Sequence, residues 1–194
     1  MPKREYKTPD WDRLFETAAA QEGLFTTAQA ADAGYTPQLL THYRNSGRVA
    51  HLRRGQYRLV HFPAGEHEDL VGAWLWTERV GVVSHRTALS LHGLSDVLPV
   101  GLHLTLPQAW RARRFRVPAG IVLHFADIAS DDRAWFGPVL ISSAARSLND
   151  CAREGMSPDV LRHAARQALR RGIVTNAELS DVDAALSPFG GLAT

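Results

Sequence analysis

The sequence predicts an α+β fold in two parts: an N-terminal winged helix-turn-helix over residues 1–65, then a mixed α/β C-terminal domain over residues 66–194. Three observations carry this. Three short helical patterns with capping residues and closing glycines run directly into a glycine-centred hairpin. His61 to Glu68, with Pro63 and Gly65, then breaks the pattern as a linker. Beyond it, three short strand-like segments are interspersed with five helices, too few strands for a doubly wound sheet.

The first helix is capped by Asp10, carries Trp11, Leu14, Phe15 and Ala18 at helical spacing, and ends by Gly23. A second starts near Thr27, offers the small residues Ala28, Ala30, Ala31 and Ala33 for packing, and stops at Gly34. The third has Thr36 as cap and Pro37 in its first turn, buries Leu39, Leu40 and Tyr43, and closes at Gly47. The tight Gly34-Tyr35 turn makes the last two a helix-turn-helix. Strands Val49–Arg53 and Gln56–Val60 flank Arg54-Gly55, where glycine supplies the positive φ of a tight hairpin.

In the second part, helices are predicted over Glu68–Glu78 and from Ser84 to Gly93. Strands follow at Leu102–Leu106, Ile121–Phe125 and Val139–Ile141. Helices over Ser143–Glu154, Ser157–Arg171 and Thr175–Leu186 complete it, with Gly190-Gly191 expected to fray. No internal repeat is visible.

Composition narrows the class. A hydrophobic share of 45% and a charged share of 22% fit a globular chain and argue against disorder. The longest apolar run, Leu70–Trp76, falls far short of the roughly 18 residues of a membrane span. Met1–Lys7 is polar and basic and leads into no apolar segment, so no secretory signal is expected and the location expected is cytoplasmic. The single Cys151 can form no internal disulfide and no cysteine-based zinc site.

Net charge is only +2, yet the five arginines between Ala33 and Gly65 (Arg44, Arg48, Arg53, Arg54 and Arg58) share that segment with no acid. A local basic patch of this kind suits nucleic acid. On a helix that buries Leu39, Leu40 and Tyr43, the outward residues are Gln38, Thr41, His42 and Asn45, with Arg44 at the edge. A DNA major groove admits one such helix, and amides such as Gln38 and Asn45 can bridge adenine N6 and N7. Thr36 and Thr41 suit phosphate or a base, while Arg48, Arg53, Arg54 and Arg58 suit phosphate or minor-groove contact. The alternative is a solvated polar face that binds protein. Two more basic features stand in the second part: Arg111, Arg113, Arg114 and Arg116 between two strands, and Arg162, Arg166 and Arg170 along one helical stripe. Each reads either as a second phosphate-binding surface or as an exposed solvated face.

Enzymatic chemistry finds little support. His85 and His92 share one helix face, but no carboxylate at ligand spacing accompanies them, so no metal is expected and both are read as core or capping residues. Ser84-His85 lacks a nucleophile elbow, and Cys151 sits mid-helix without an arranged base. With lysine only at Lys3 and Lys7, a restriction-type nuclease site is not expected. No phosphate-binding glycine motif occurs, so neither a cofactor nor an enzymatic activity is expected.

Gly23-Leu24-Phe25-Thr26-Thr27-Ala28-Gln29-Ala30, Gly34-Tyr35, and the run from Gly47-Arg48-Val49 to Arg58-Leu59 resemble the winged-helix domain of the AbiEi family of antitoxins. Val83-Ser84-His85-Arg86-Thr87-Ala88-Leu89 and Leu91-His92-Gly93-Leu94 are similar to a stretch of the same family. The resemblance covers about Trp11 to Pro107 well and the remainder loosely. It implies a transcriptional regulator that is also the antitoxin half of a type IV toxin-antitoxin, or abortive-infection, operon. Such a protein represses its own promoter at inverted repeats and counteracts a nucleotidyltransferase-like toxin, and a homodimer would match the repeats. A stand-alone regulator, or an interaction module without a toxin, is the alternative. The resemblance carries over the outward helix positions and wing arginines, and treats the Ser-His motif as structural.

Overall fold

The computed structural model describes residues 8–95 and 100–192; Met1–Lys7, with both lysines, lies outside them. The chain divides into two units, Met1–Glu78 and Arg79–Thr194.

The first unit begins with α1 (Trp11–Ala19), where the Asp10 carboxylate accepts the Arg13 N–H at 3.0 Å and Leu14 and Ala18 are buried. Strand β1 (Leu24–Thr26) leads into α2 (Thr27–Asp32), and the tight turn through Gly34 delivers α3 (Pro37–Asn45). Thr26, one residue ahead of the predicted start, caps α2 with Gln29 in a reciprocal capping box. The Thr36 hydroxyl oxygen accepts the Leu39 N–H at 3.2 Å, and Pro37 occupies the first turn of α3. Strands β2 (Val49–Arg53) and β3 (Gln56–Leu59) form the wing, turning at Gly55, whose φ is +75°. The three-stranded antiparallel sheet has the order β1-β3-β2. Leu14, Phe25, Ala30, Tyr35, Leu40, Val49 and Leu59 close the core. A winged helix-turn-helix is therefore present, with an unforeseen strand: β1, at three residues, is too short to show a period of two and exists by pairing with β3.

One boundary needs correction. Helix α4 (Glu68–Trp76), placed by sequence in the second domain, belongs with the first unit. Its residues Leu70 to Leu75 are all buried, it packs on β1 and β3, and the Gln56 side-chain amide donates to the Gly72 carbonyl at 2.8 Å. The Pro- and Gly-bearing stretch is a loop within one unit.

The second unit holds a five-stranded mixed sheet of order β6-β5-β4-β8-β7. Its strands are β4 (Val82–Val83), β5 (Leu102–Leu106), β6 (Ile121–Phe125), β7 (Arg133–Phe136) and β8 (Val139–Ser142). Pairing is parallel for β5 with β6 and β4 with β8, and antiparallel for β4 with β5 and β7 with β8. Helices α5 (His85–Leu91), α6 (Ala144–Arg153), α7 (Pro158–Arg170) and α8 (Ser180–Leu186) bury Leu89, Leu148, Ala164, Ala168, Leu179 and Leu186 together. Strands β4 and β7 were not foreseen: one is two residues long, and the other is an edge strand with Trp135 exposed. The predicted helix from Thr175 begins as a separate 3-10 turn, Asn176–Glu178, ahead of α8.

The Gly190-Gly191 segment is not frayed. Gly190 adopts φ +87°, and the Gly191 N–H donates to the Leu186 carbonyl at 2.9 Å.

Gly23 joins α1 to β1 at φ +81°, and a Cβ there would lie 2.7 Å from Phe62 Cδ1. Backbone strain and overlap act together, so Gly23→Ala should lower unfolding free energy by about 1–3 kcal/mol in a denaturant titration.

Candidate nucleic-acid interface

The placement of α2 rests on a buried amide pair. Gln29 Nε2 donates to Gln21 Oε1 at 2.8 Å, and Gln21 Nε2 also reaches the Leu24 carbonyl at 3.1 Å. Gln29 Oε1 meanwhile accepts the Thr26 N–H at 2.9 Å, so one side chain ties α1, β1 and the start of α2. Helix α3 is seated by Tyr43, which stacks on Trp11 at 5.6 Å between ring centroids and meets Tyr35 edge-on at 5.4 Å. Burial holds the Tyr35 phenol protonated, with the adjacent Tyr43 adding to the effect.

On the opposite side of α3, Gln38, Thr41, His42, Arg44 and Asn45 are exposed, as expected for an outward face. Thr36 is half-buried and spends its oxygen on the cap, while the Thr41 hydroxyl donates back to the Pro37 carbonyl at 3.0 Å. Gln38, Asn45 and Arg44 are the long polar side chains that extend from this helix.

The five arginines separate into two sets. Arg44, Arg48 and Arg54 are exposed and, among the described residues, lie within 4.0 Å of no carboxylate; the Arg48 guanidinium sits 5.3 Å from the Tyr43 ring centroid. Arg58 departs from expectation. Its Nε lies 2.5 Å from Glu68 Oε1, its Nη2 donates to the Phe62 carbonyl at 3.0 Å, and its side chain is 19% exposed. Arg53 Nη2 lies 3.9 Å from Asp69 Oδ1 and keeps 38% of its side-chain surface. The segment free of acids in sequence acquires two in space, because the first turn of α4 brings Glu68 and Asp69 to the root of the wing. Arg58 is thus a structural residue rather than a contact residue.

The second-unit arginines also divide. Arg111, Arg113, Arg114 and Arg116 are all exposed in the segment before β6, with the Arg113 guanidinium 3.9 Å from the Trp110 ring centroid. The stripe on α7 is different. Arg162 donates to the Gly191 carbonyl at 3.1 Å and the Phe189 carbonyl at 2.6 Å and pairs with Asp159, and Arg166 donates to the Leu192 carbonyl at 2.9 Å. Two of its three members clasp the protein's own C-terminal segment, leaving Arg170 exposed.

Of the paired histidines, His92 Nε2 donates to the Ser142 carbonyl at 2.8 Å, which suits a structural role. His85 instead faces His103 and His124, which sequence reasoning passed over because they stand on strands and not on its own helix. A histidine inside each apolar strand, Leu102-His103-Leu104 and Leu123-His124-Phe125, was the available signal. Burial pushes the Cys151 thiol up to about 12, so it is no nucleophile at neutral pH.

No helix among the described residues is long and apolar enough to cross a membrane. No curated protein matches the chain. Among solved structures, the RV2827C protein from Mycobacterium tuberculosis is similar at 15% identity and a TM-score of 0.44, covering 97% of this chain and 80% of that one. Residues 12–60, which contain the helix-turn-helix and the whole wing, match the family described as transcriptional regulator, AbiEi antitoxin, and so support a DNA-binding regulator role.

Proposed function

We propose that the chain is a cytoplasmic, non-enzymatic repressor that binds inverted repeats in the promoter of its own toxin-antitoxin operon and counteracts a nucleotidyltransferase-like toxin. The observation that carries the DNA-binding step is one outward face. The Gln38, His42 and Asn45 side chains of α3 are exposed, as are Arg44, Arg48 and Arg54, none of which lies within 4.0 Å of a carboxylate among the described residues.

In this reading α3 enters the major groove and its amides address base edges, while the wing tip meets backbone phosphate. Arg53 is a weaker contributor, since Asp69 competes for it. Inverted repeats call for a two-fold dimer, with one α3 per half-site. The exposed Arg111–Arg116 segment supplies a second phosphate-binding surface on the other unit. Counteracting a toxin is the finer part of this reading, supported by the likeness of residues 12–60 to a family described as AbiEi antitoxin, and would be tested by co-expressing the full chain with a neighbouring nucleotidyltransferase-like gene and following growth.

Binding to promoter DNA, followed by fluorescence anisotropy across a salt series, tests the assignment. Arg54→Ala should weaken binding to every sequence and flatten the log K against log salt slope by about one. Gln38→Ala or Asn45→Ala should each cost about 1–3 kcal/mol at a single base pair and leave the salt slope alone. Arg58→Ala should lower the melting temperature without changing the slope; a slope reduced as in Arg54→Ala would return Arg58 to the contact surface.

A further inference from the structure

Three histidines from three separate elements of the second unit converge beside one carboxylate. His85 opens α5, His103 lies in β5, His124 lies in β6, and Glu154 caps the C-terminus of α6. Parallel pairing sets Thr105 opposite His124 and Val122 opposite His103, so the two strand histidines sit diagonally on one face of the sheet. One ring nitrogen from each histidine lies within 4.8 Å of the other two. His103 Nδ1 and His124 Nε2 are 2.9 Å apart, while Glu154 Oε1 is 3.1 Å from His124 Nδ1 and 3.8 Å from His85 Nε2.

We infer that His85, His103 and His124, with Glu154 supporting His124, form a binding site for one divalent transition-metal ion of the zinc type.

The donor set comes first. Three imidazoles match the nitrogen ligands that zinc accepts in tetrahedral sites, and a carboxylate on the far nitrogen of one of them is the usual support for such a ligand. Two imidazole nitrogens at 2.9 Å share one proton, and an ion would take that proton's place. With metal–nitrogen distances of about 2.0–2.1 Å, tetrahedral geometry separates two ligand nitrogens by roughly 3.3 Å, an opening of a few tenths of an ångström. The His85 and His124 rings stack with centroids 3.7 Å apart, so coordination also requires these rings to rotate toward a common centre.

The surroundings favour the assignment. Ser84 Oγ lies 2.8 Å from His85 Nδ1 and accepts the Thr105 hydroxyl at 2.7 Å, an arrangement that orients the imidazole and leaves Nε2 for an ion. His85 has φ +53°, a left-handed conformation that costs energy in a non-glycine residue and is concentrated at ligand clamps and active sites. The nearby Arg146 and Arg153 are paired with Asp132, Asp150 and Asp181, which limits their repulsion of a cation. His85 and His103 are buried, whereas Glu154 keeps 33% of its side-chain surface and gives the cluster an opening to solvent. With three ligands drawn from the protein, the ion would tie α5, β5 and β6 together, while Glu154 at the end of α6 would hold the His124 ring through Nδ1.

The test is a titration of the full-length, chelator-treated protein with Zn2+ and, separately, Co2+. One ion per chain, visible Co2+ bands of tetrahedral intensity and a melting temperature raised by Zn2+ are expected. His103→Gln and His124→Gln should abolish the bands, Glu154→Gln should weaken affinity by about 10–100-fold, and His51→Gln, on the exposed wing, should leave both unchanged. Failure of the unsubstituted protein to bind either ion at micromolar concentration would overturn the inference, whether or not the variants fold. Bands that persist in both histidine variants would equally overturn it, and would mark binding elsewhere.

Discussion

The grip of α4 on the wing sets which charges the N-terminal unit can offer a partner. Gln56 lies inside β3, and its side-chain amide reaches the Gly72 carbonyl of α4 at 2.8 Å. That buried bond is worth about 1 kcal/mol net, but leaving its partners unpaired costs about 1–3 kcal/mol, so it strongly favours one placement of the helix. Once placed, the first turn of α4 presents Glu68 to Arg58 and Asp69 to Arg53. The carboxylates also stand at the favourable end of the helix dipole. These pairs are partly exposed, so their main effect is the distribution of charge and not stability. The root of the wing is neutralised, whereas among the described residues no carboxylate lies within 4.0 Å of Arg44, Arg48 or Arg54.

The same unit shows how far local rules reach. Asp10, Thr36 and Ser143 cap helices as their residue types predict, and Gly34 and Gly55 turn the chain at positive φ. These features depend on a few neighbouring residues, so they are readable in sequence. Strands β1 and β4 have three and two residues and no measurable alternation; their identity comes from distant partners. The ownership of α4 was hidden for a related reason. A Pro- and Gly-bearing loop marks a break in secondary structure, while domain membership is decided by where the next apolar helix buries its surface.

Charge is the property least readable along the chain. Arg58 meets an acid ten residues away and Arg53 one sixteen residues away, both just outside the window that made the arginine run look unopposed. On α7, spacing correctly put Arg162 and Arg166 on one stripe, yet their hydrogen bonds go to backbone carbonyls of the C-terminal segment. A guanidinium has five donors and takes whatever acceptors the fold supplies, so a helical row of arginines has no assigned partner until the chain around it is placed.

The histidines invert that lesson. His85 and His92 are seven residues apart on a predicted face, the spacing that draws attention, but they end in different environments. His103 and His124, each a lone polar residue in an apolar strand, converge with His85 through strand pairing, which places residues 21 positions apart within hydrogen-bond distance. Sheets gather ligands in this way: an alternating strand contributes one donor to a face, and its neighbour contributes another at a fixed diagonal. Two buried imidazoles and a half-buried third are an expensive choice for positions that leucine could fill, since each carries two ring nitrogens that must be satisfied. The cluster answers part of that demand internally, through Ser84 and Glu154 as well as the shared His103–His124 proton. A cation bound by the same nitrogens would answer it more fully, and would explain why the chain holds His85 in a backbone conformation that glycine would occupy at lower cost.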